Sequence, residues 1–196
     1  MTEDETGRLV PELSRLPAEK LHAFAQHWNH DGGLEPLTRV VRLPQCELAT
    51  AKLVYWRLDP IWYLQFGGRS QVPGHAQEGF DLIQEIERRV RDGFYPDGTL
   101  TFDPAREELR SGKVINWTAR HLGLEDKFVR DLPGEMYQPS GPAAPPRPPG
   151  RPEFSEAERA KARRELAERE EKDQQRMKDL KERIATMEKA KKQRDG

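Results

Sequence analysis

His27, His30, Asp31 and Glu35 lie within nine residues of one another. These are residue types that bind metal or move protons, and helical neighbours three apart share a face, so His-x-x-His resembles half of a metal site. A catalytic zinc needs three protein ligands and an open position, and no HExxH segment or cysteine pair completes the set. No metal and no cofactor is therefore assigned. The plainer reading places His27 and His30 on the solvated end of a helix, where a cation suits the dipole. Asn29, Asp31 and Glu35 flank Gly32-Gly33 and could form a polar mouth with Asp31 as acid or base. Asn and Asp before Gly-Gly also serve simply to stop one helix and cap the next.

Cys46 is the single cysteine. It has no activating neighbour in sequence, although His22, His27 or His75 could approach it in space; otherwise it is a small buried hydrophobe. Three of the four tryptophans fall between Leu21 and Phe66. Most of these rings belong in a core, but Trp62 and Tyr63 are adjacent and cannot both face inward from a regular helix. At least one is a candidate anchor for a binding partner. Gly67-Gly68 stands in neither a GxxxxGK[ST] nor a GxGxxG frame, and GxSxG and kinase signatures are missing. Arg88, Arg89 and Arg91 are explained by a helix end and by Glu85 and Glu87. No catalytic residue is assigned, and the balance leans away from an enzyme.

The elements that must position these groups are mainly helical. Leu21, Phe24, Ala25 and Trp28 follow Pro17 at helical spacing, predicting a first helix that ends at Asp31-Gly32-Gly33. A short second helix is expected over 34–42, with Leu37, Val40 and Val41 inward. A third, over 45–58, is apolar on more than one side and should be the most buried. Asp59-Pro60 opens a short turn holding Ile61, Trp62, Leu64 and Phe66. A fourth helix is predicted over 74–92, with Gly93 at its left-handed stop. Pro96-Asp97-Gly98 has turn chemistry between aromatic and β-branched residues, so 94–102 is read as a small β-hairpin or an irregular excursion. Asp103-Pro104 should cap a short helix to about residue 110, and a final helix or two, up to Tyr137, should pack on the third.

Composition divides the chain. Hydrophobic residues make up 35% and charged residues 34%, too polar a mixture for one fold of the whole length. Residues 1–138 carry 22 acidic against 17 basic residues, a net of −5, whereas 155–196 carry 11 against 14. An acidic head does not advertise the clustered basic surface that phosphate neutralisation requires, so no nucleic acid is expected for the head, while the weakly basic tail leaves that reading open. Between them, 139–154 hold seven prolines and two glycines, an extended spacer without helix or strand. The expected organisation is a flexible 1–16, a helical globular domain over 17–138, a Pro-rich disordered linker over 139–154, and a charged single helix over 155–196.

That last helix should begin at the capping box Ser155-Glu156-Ala157-Glu158. Acid-first pairs at i, i+4 follow, among them Glu165 with Arg169 and Glu168 with Lys172. Its apolar positions form one short seam, Met177, Leu180, Ile184 and Met187, lacking the heptads of a stable coiled coil. It is a solvated helix by this reading, or a short contact with a partner or with a copy of itself. The acidic N-terminus has no apolar core of a signal peptide, no window spans a bilayer, and a lone cysteine offers no disulfide. A cytoplasmic protein without membrane association is expected.

The segments LHAFAQHWNHDGG, LEPLTRVVRLPQCELATA and LVYWRLDP together resemble a bacterial family, domain-of-unknown-function family 4274, over about residues 18–95. The matching positions are Phe24, Trp28, Asn29, Asp31, Gly32, Pro44, Cys46, Leu48, Thr50, Ala51, Tyr55 and Trp56. His30 stands where the family pattern has a second aromatic. The resemblance implies a bacterial, cytoplasmic, mainly helical module and carries over no catalytic residue.

Three functions follow as expectations. The first is a protein-interaction module, of the kind that neutralises a toxin, whose acidic head engages a basic partner through Trp62 or Tyr63. The second is a small enzyme with a polar or metal site at Asn29, Asp31 and Glu35. The third is a scaffold that self-associates weakly through the C-terminal helix.

Overall fold

The computed structural model describes residues 13–29, 32–109, 111–119, 127–142 and 154–194, with side chains in the last stretch described through Lys181. His30 and Asp31 lie outside the described residues, as do the side chains of Ile184 and Met187 and most of the proline-rich spacer. The described residues fall into two units, those up to 142 in a head and those from 154 onward in a helix.

Among the described residues, four α-helices build the head: α1 (Ala18–His27), α2 (Glu35–Arg42), α3 (Leu48–Arg57) and α4 (Gln77–Arg91). α1, α2 and α4 each pack against α3. As its all-round apolar pattern requires, α3 is the centre, buried at every position from Ala49 to Trp56. It starts at Leu48 rather than Gln45 because Glu47 is extended. There the Leu48 amide donates to the Pro96 carbonyl at 3.2 Å. The apolar stripe of α1 turns Leu21 and Ala25 fully inward, with Phe24 and Trp28 packed at its margin, ring centroids 5.2 Å apart. α1 ends at His27, earlier than Asp31-Gly32-Gly33.

After α3, Asp59 takes a left-handed φ of 55°, and the chain makes a 3-10 turn at Trp62–Gln65. A single 3-10 turn at Gly74–Ala76 leads into α4. α4 stops at the predicted residue: Gly93 has φ 67°, and the amides of Gly93 and Phe94 donate back to Val90 and Arg89 carbonyls. A glycine is needed there because a Cβ in that conformation is strained.

Beyond α4 the expectations need correction. The hairpin is not at 94–102; its strands are β1 (Glu107–Glu108) and β2 (Val114–Ile115), antiparallel, with Glu107 opposite Ile115. The 94–102 stretch is the irregular alternative, tied to the start of α3 through Pro96 and through the Leu100 amide, which donates to Glu47 Oε2 at 2.9 Å. The short helix expected after Asp103-Pro104 is absent; Asp103 Oδ1 instead accepts the Ala105 amide in a local turn, and the chain enters β1. In the stretch to Tyr137 the described residues form 3-10 turns at Trp117–Ala119 and Gly134–Tyr137, the second packed on α3 through Trp56; residues 120–126 of the expected final helices lie outside the described residues.

Contacts of the head reach past residues 17 and 138: Leu13 is 3% exposed within the core, and the Ser14 carbonyl accepts a bond from Gln45 Nε2 at 2.8 Å. At the other end, Ser140 bridges Phe102 through reciprocal backbone bonds.

The second unit is α5 (Glu156–Arg194). Its capping box forms as predicted, the Ser155 amide donating to Glu158 Oε2 at 2.8 Å and the Glu158 amide to Ser155 Oγ at 3.3 Å. Glu165 pairs back with Lys161 at 3.7 Å rather than forward with Arg169. Met177 and Leu180 are exposed. Among the described residues no helix is long and apolar enough to cross a membrane.

Candidate functional site

The Trp62–Gln65 turn sorts the adjacent aromatics. Tyr63 goes inward, 7% exposed, its hydroxyl donating to the Ala76 carbonyl at 3.2 Å. The fit is tight: a Cβ on Gly79 would stand 2.4 Å from that hydroxyl. Trp62 goes outward, 39% exposed. Its indole is held edge-on between Tyr63, at 4.8 Å between centroids, and Phe66, at 4.9 Å. Of the two candidate anchors only Trp62 presents a surface; Tyr63 supports it from beneath. Nearby, the amide of the exposed Val129 donates to the Leu64 carbonyl at 2.9 Å.

The polar mouth expected at Asn29, Asp31 and Glu35 is described only in part. Glu35 forms an ion pair with Arg39 one turn along α2, which commits one carboxylate oxygen. Asn29 is exposed. His27 is exposed, its Nδ1 bonded to the Ala23 carbonyl of its own helix. Among the described residues no group of three His, Cys, Asp or Glu side chains is placed to hold a metal.

Cys46 is fully buried, and burial pushes its thiol up to about 12. That removes the thiolate that nucleophilic chemistry needs. His22 does not activate it: His22 Nδ1 is hydrogen-bonded to Thr50 Oγ1 at 3.0 Å. Burial, followed by the nearby Arg57 charge, lowers the His22 pKa, keeping this imidazole neutral near pH 7.

His22 instead faces a cleft of about 330 Å³ between α1, residues 101–108 and Pro139-Ser140. One wall is fixed by the buried Glu107. Its Oε1 accepts from Arg57 Nε at 3.0 Å and its Oε2 from the Trp117 indole. Arg57 also donates to the Gln26 carbonyl at 2.6 Å, so α1, α3 and the hairpin meet at one guanidinium. Sequence reasoning missed this cleft. Its residues come from four separated stretches, and the hint was a charged Arg57 at the end of a largely apolar helix.

Residues 17–91 match the family model described as Domain of unknown function (DUF4274), in agreement with the resemblance read from the Trp28-to-Trp56 motifs. The match ends where α4 ends, before the hairpin and before most of the cleft. No curated protein and no solved structure matches the chain.

Proposed function

We propose that this chain, whose residues 17–91 match DUF4274, is a non-catalytic protein-interaction module of the bacterial cytoplasm that engages a basic partner protein through Trp62, in the manner of an immunity protein neutralising a toxin. The observation that carries this reading is the outward indole of Trp62, fixed edge-on between Tyr63 and Phe66. A preorganised aromatic loses little entropy on contact and is the residue type in which binding energy concentrates. The acidic balance of the head favours a basic partner. The state of the described reactive groups supports binding over catalysis: Cys46 is a buried thiol and Glu35 is held by Arg39.

The test is affinity capture from a native bacterial lysate with the full chain as bait, wild type beside Trp62→Ala. A basic protein retained by the first and lost from the second supports the proposal. Equal retention by both baits removes Trp62 from the interface.

A further inference from the structure

The His22 cleft is lined by groups of three kinds. Leu53 and Phe102, both almost fully buried, give it an apolar floor. A second kind is polar and already spent. Both oxygens of Glu107 are engaged, by Arg57 and by the Trp117 indole. Asp103 Oδ1 holds the Ala105 amide, and the Ser140 hydroxyl donates to the Phe102 carbonyl at 3.5 Å. These side chains fix the shape of the wall rather than receive a guest.

The third kind is polar and unspent. Gln26, Thr101, Arg106 and Glu108 line the same cleft, and among the described residues no hydrogen bond or ion pair engages any of their side chains. His22 joins them through Nε2, since Nδ1 is taken by Thr50. The Gln26 amide and the Thr101 hydroxyl both donate and accept, and a neutral imidazole nitrogen does one or the other according to tautomer. Arg106 only donates and Glu108 only accepts. These last two are exposed and stand two residues apart, so a guest anion or cation drawn to one also meets its opposite.

A hydroxyl pairs with every group of this set, because it donates and accepts at once. Several hydroxyls on one small carbon skeleton use the whole set together, and the C–H face of that skeleton suits the apolar floor. The volume of about 330 Å³ lies at the lower end for small-molecule sites.

We propose that this cleft binds a neutral polyol of monosaccharide size, its hydroxyls on Gln26, Thr101, His22 Nε2, Arg106 and Glu108 and its C–H face on Leu53 and Phe102. This site does not depend on Trp62 and goes beyond the interaction reading.

The experiment is calorimetric titration of the full chain with neutral aldopentoses, aldohexoses and inositol, one by one. The expected result is saturable binding of at least one of them with a Kd below about 10 mM. Its monodeoxy derivatives should bind about tenfold more weakly for at least two positions, each having lost a hydrogen-bonding hydroxyl. The matched uronic acid and amino sugar, which add one charge to the same ring, should bind no tighter than the parent. Arg106→Ala and Glu108→Ala should each weaken binding severalfold while leaving the thermal transition unchanged, since both side chains are exposed. No saturable heat from any of these compounds up to roughly 50 mM overturns the proposal. So does binding that every deoxy derivative retains, tighter binding of either charged analogue, or binding unaffected by both substitutions.

Discussion

The indole Nε1 of Trp56 donates to the carbonyl of Met136 at 3.0 Å, across 80 residues of sequence. One turn earlier on α3, the buried Lys52 donates Nζ to the carbonyl of Gln138 at 2.7 Å. Two buried donors of the central helix thus depend on one strap of backbone near the end of the head. The Tyr137 ring seals the contact edge-on against Trp56, at 5.7 Å between centroids.

A fragment ending at Arg91, the limit of the family match, loses this strap. It loses both hydrogen bonds, each with a net contribution of about 0.5–1.5 kcal/mol, together with the apolar cover of Trp56. It is expected to lack a cooperative thermal transition and a near-UV aromatic signal, whereas a chain ending at Pro142 retains both. Equal cooperativity in the two would show that 92–142 is an accessory to the fold.

The Arg57–Glu107 pair is nearly buried on both sides, 15% and 5% exposed. Removing one partner leaves a buried charge alone, so Arg57→Met should cost on the order of 3–5 kcal/mol in chemical denaturation. Combining it with Glu107→Leu should recover part of that loss, because the stranded carboxylate goes too. A double variant as unstable as the sum of the singles would contradict this.

Lys52 gives a pH signature. Burial is the leading cause that lowers its pKa from 10.5 to about 8, against the opposing charges of Asp97 and Glu135. Below pH 8 both folded and unfolded chains carry the proton, and the folded chain bears the cost of burying it. Between about 8 and 10.5 the folded chain releases it first, so the unfolded chain binds more protons and stability rises with pH. The full gain is on the order of 3 kcal/mol. Cys46 opposes it from pH 9 upward, since its thiol stays protonated only in the fold. Denaturation midpoints should therefore rise between pH 8 and 9 in the wild type and stay flat in Lys52→Met. A rise of the same size in the variant assigns the effect to another group.

In α5, Met177 and Leu180 are exposed three residues apart. If this seam mediates weak self-association, helicity of the full chain increases with concentration, and Leu180→Ala with Ile184→Ala abolishes the dependence. Helicity independent of concentration in the wild type leaves α5 a solvated single helix.

Much of the helical frame was legible because apolar residues recur at helical spacing and each stop has a local cause, as at Gly93. The hairpin was not. Its strands are two residues long, too short for alternation to register, and Glu107 enters β1 because Arg57 and Trp117 bind it from distant positions. The Pro96-Asp97-Gly98 turn misled for a related reason: Glu47 captures the Leu100 amide that a local hairpin would have used. Adjacency alone divided Trp62 from Tyr63, but which ring turned inward depended on Gly79, whose missing side chain makes room for the tyrosine.

The most direct test of the interaction reading is the affinity of the full chain for its captured partner, measured by titration with wild type and Trp62→Ala in parallel. Loss of a central aromatic anchor typically costs about 2 kcal/mol or more. The account predicts at least a tenfold to thirtyfold rise in Kd, with the variant's thermal transition preserved because the indole lies at the surface. An unchanged Kd in a folded variant would contradict it.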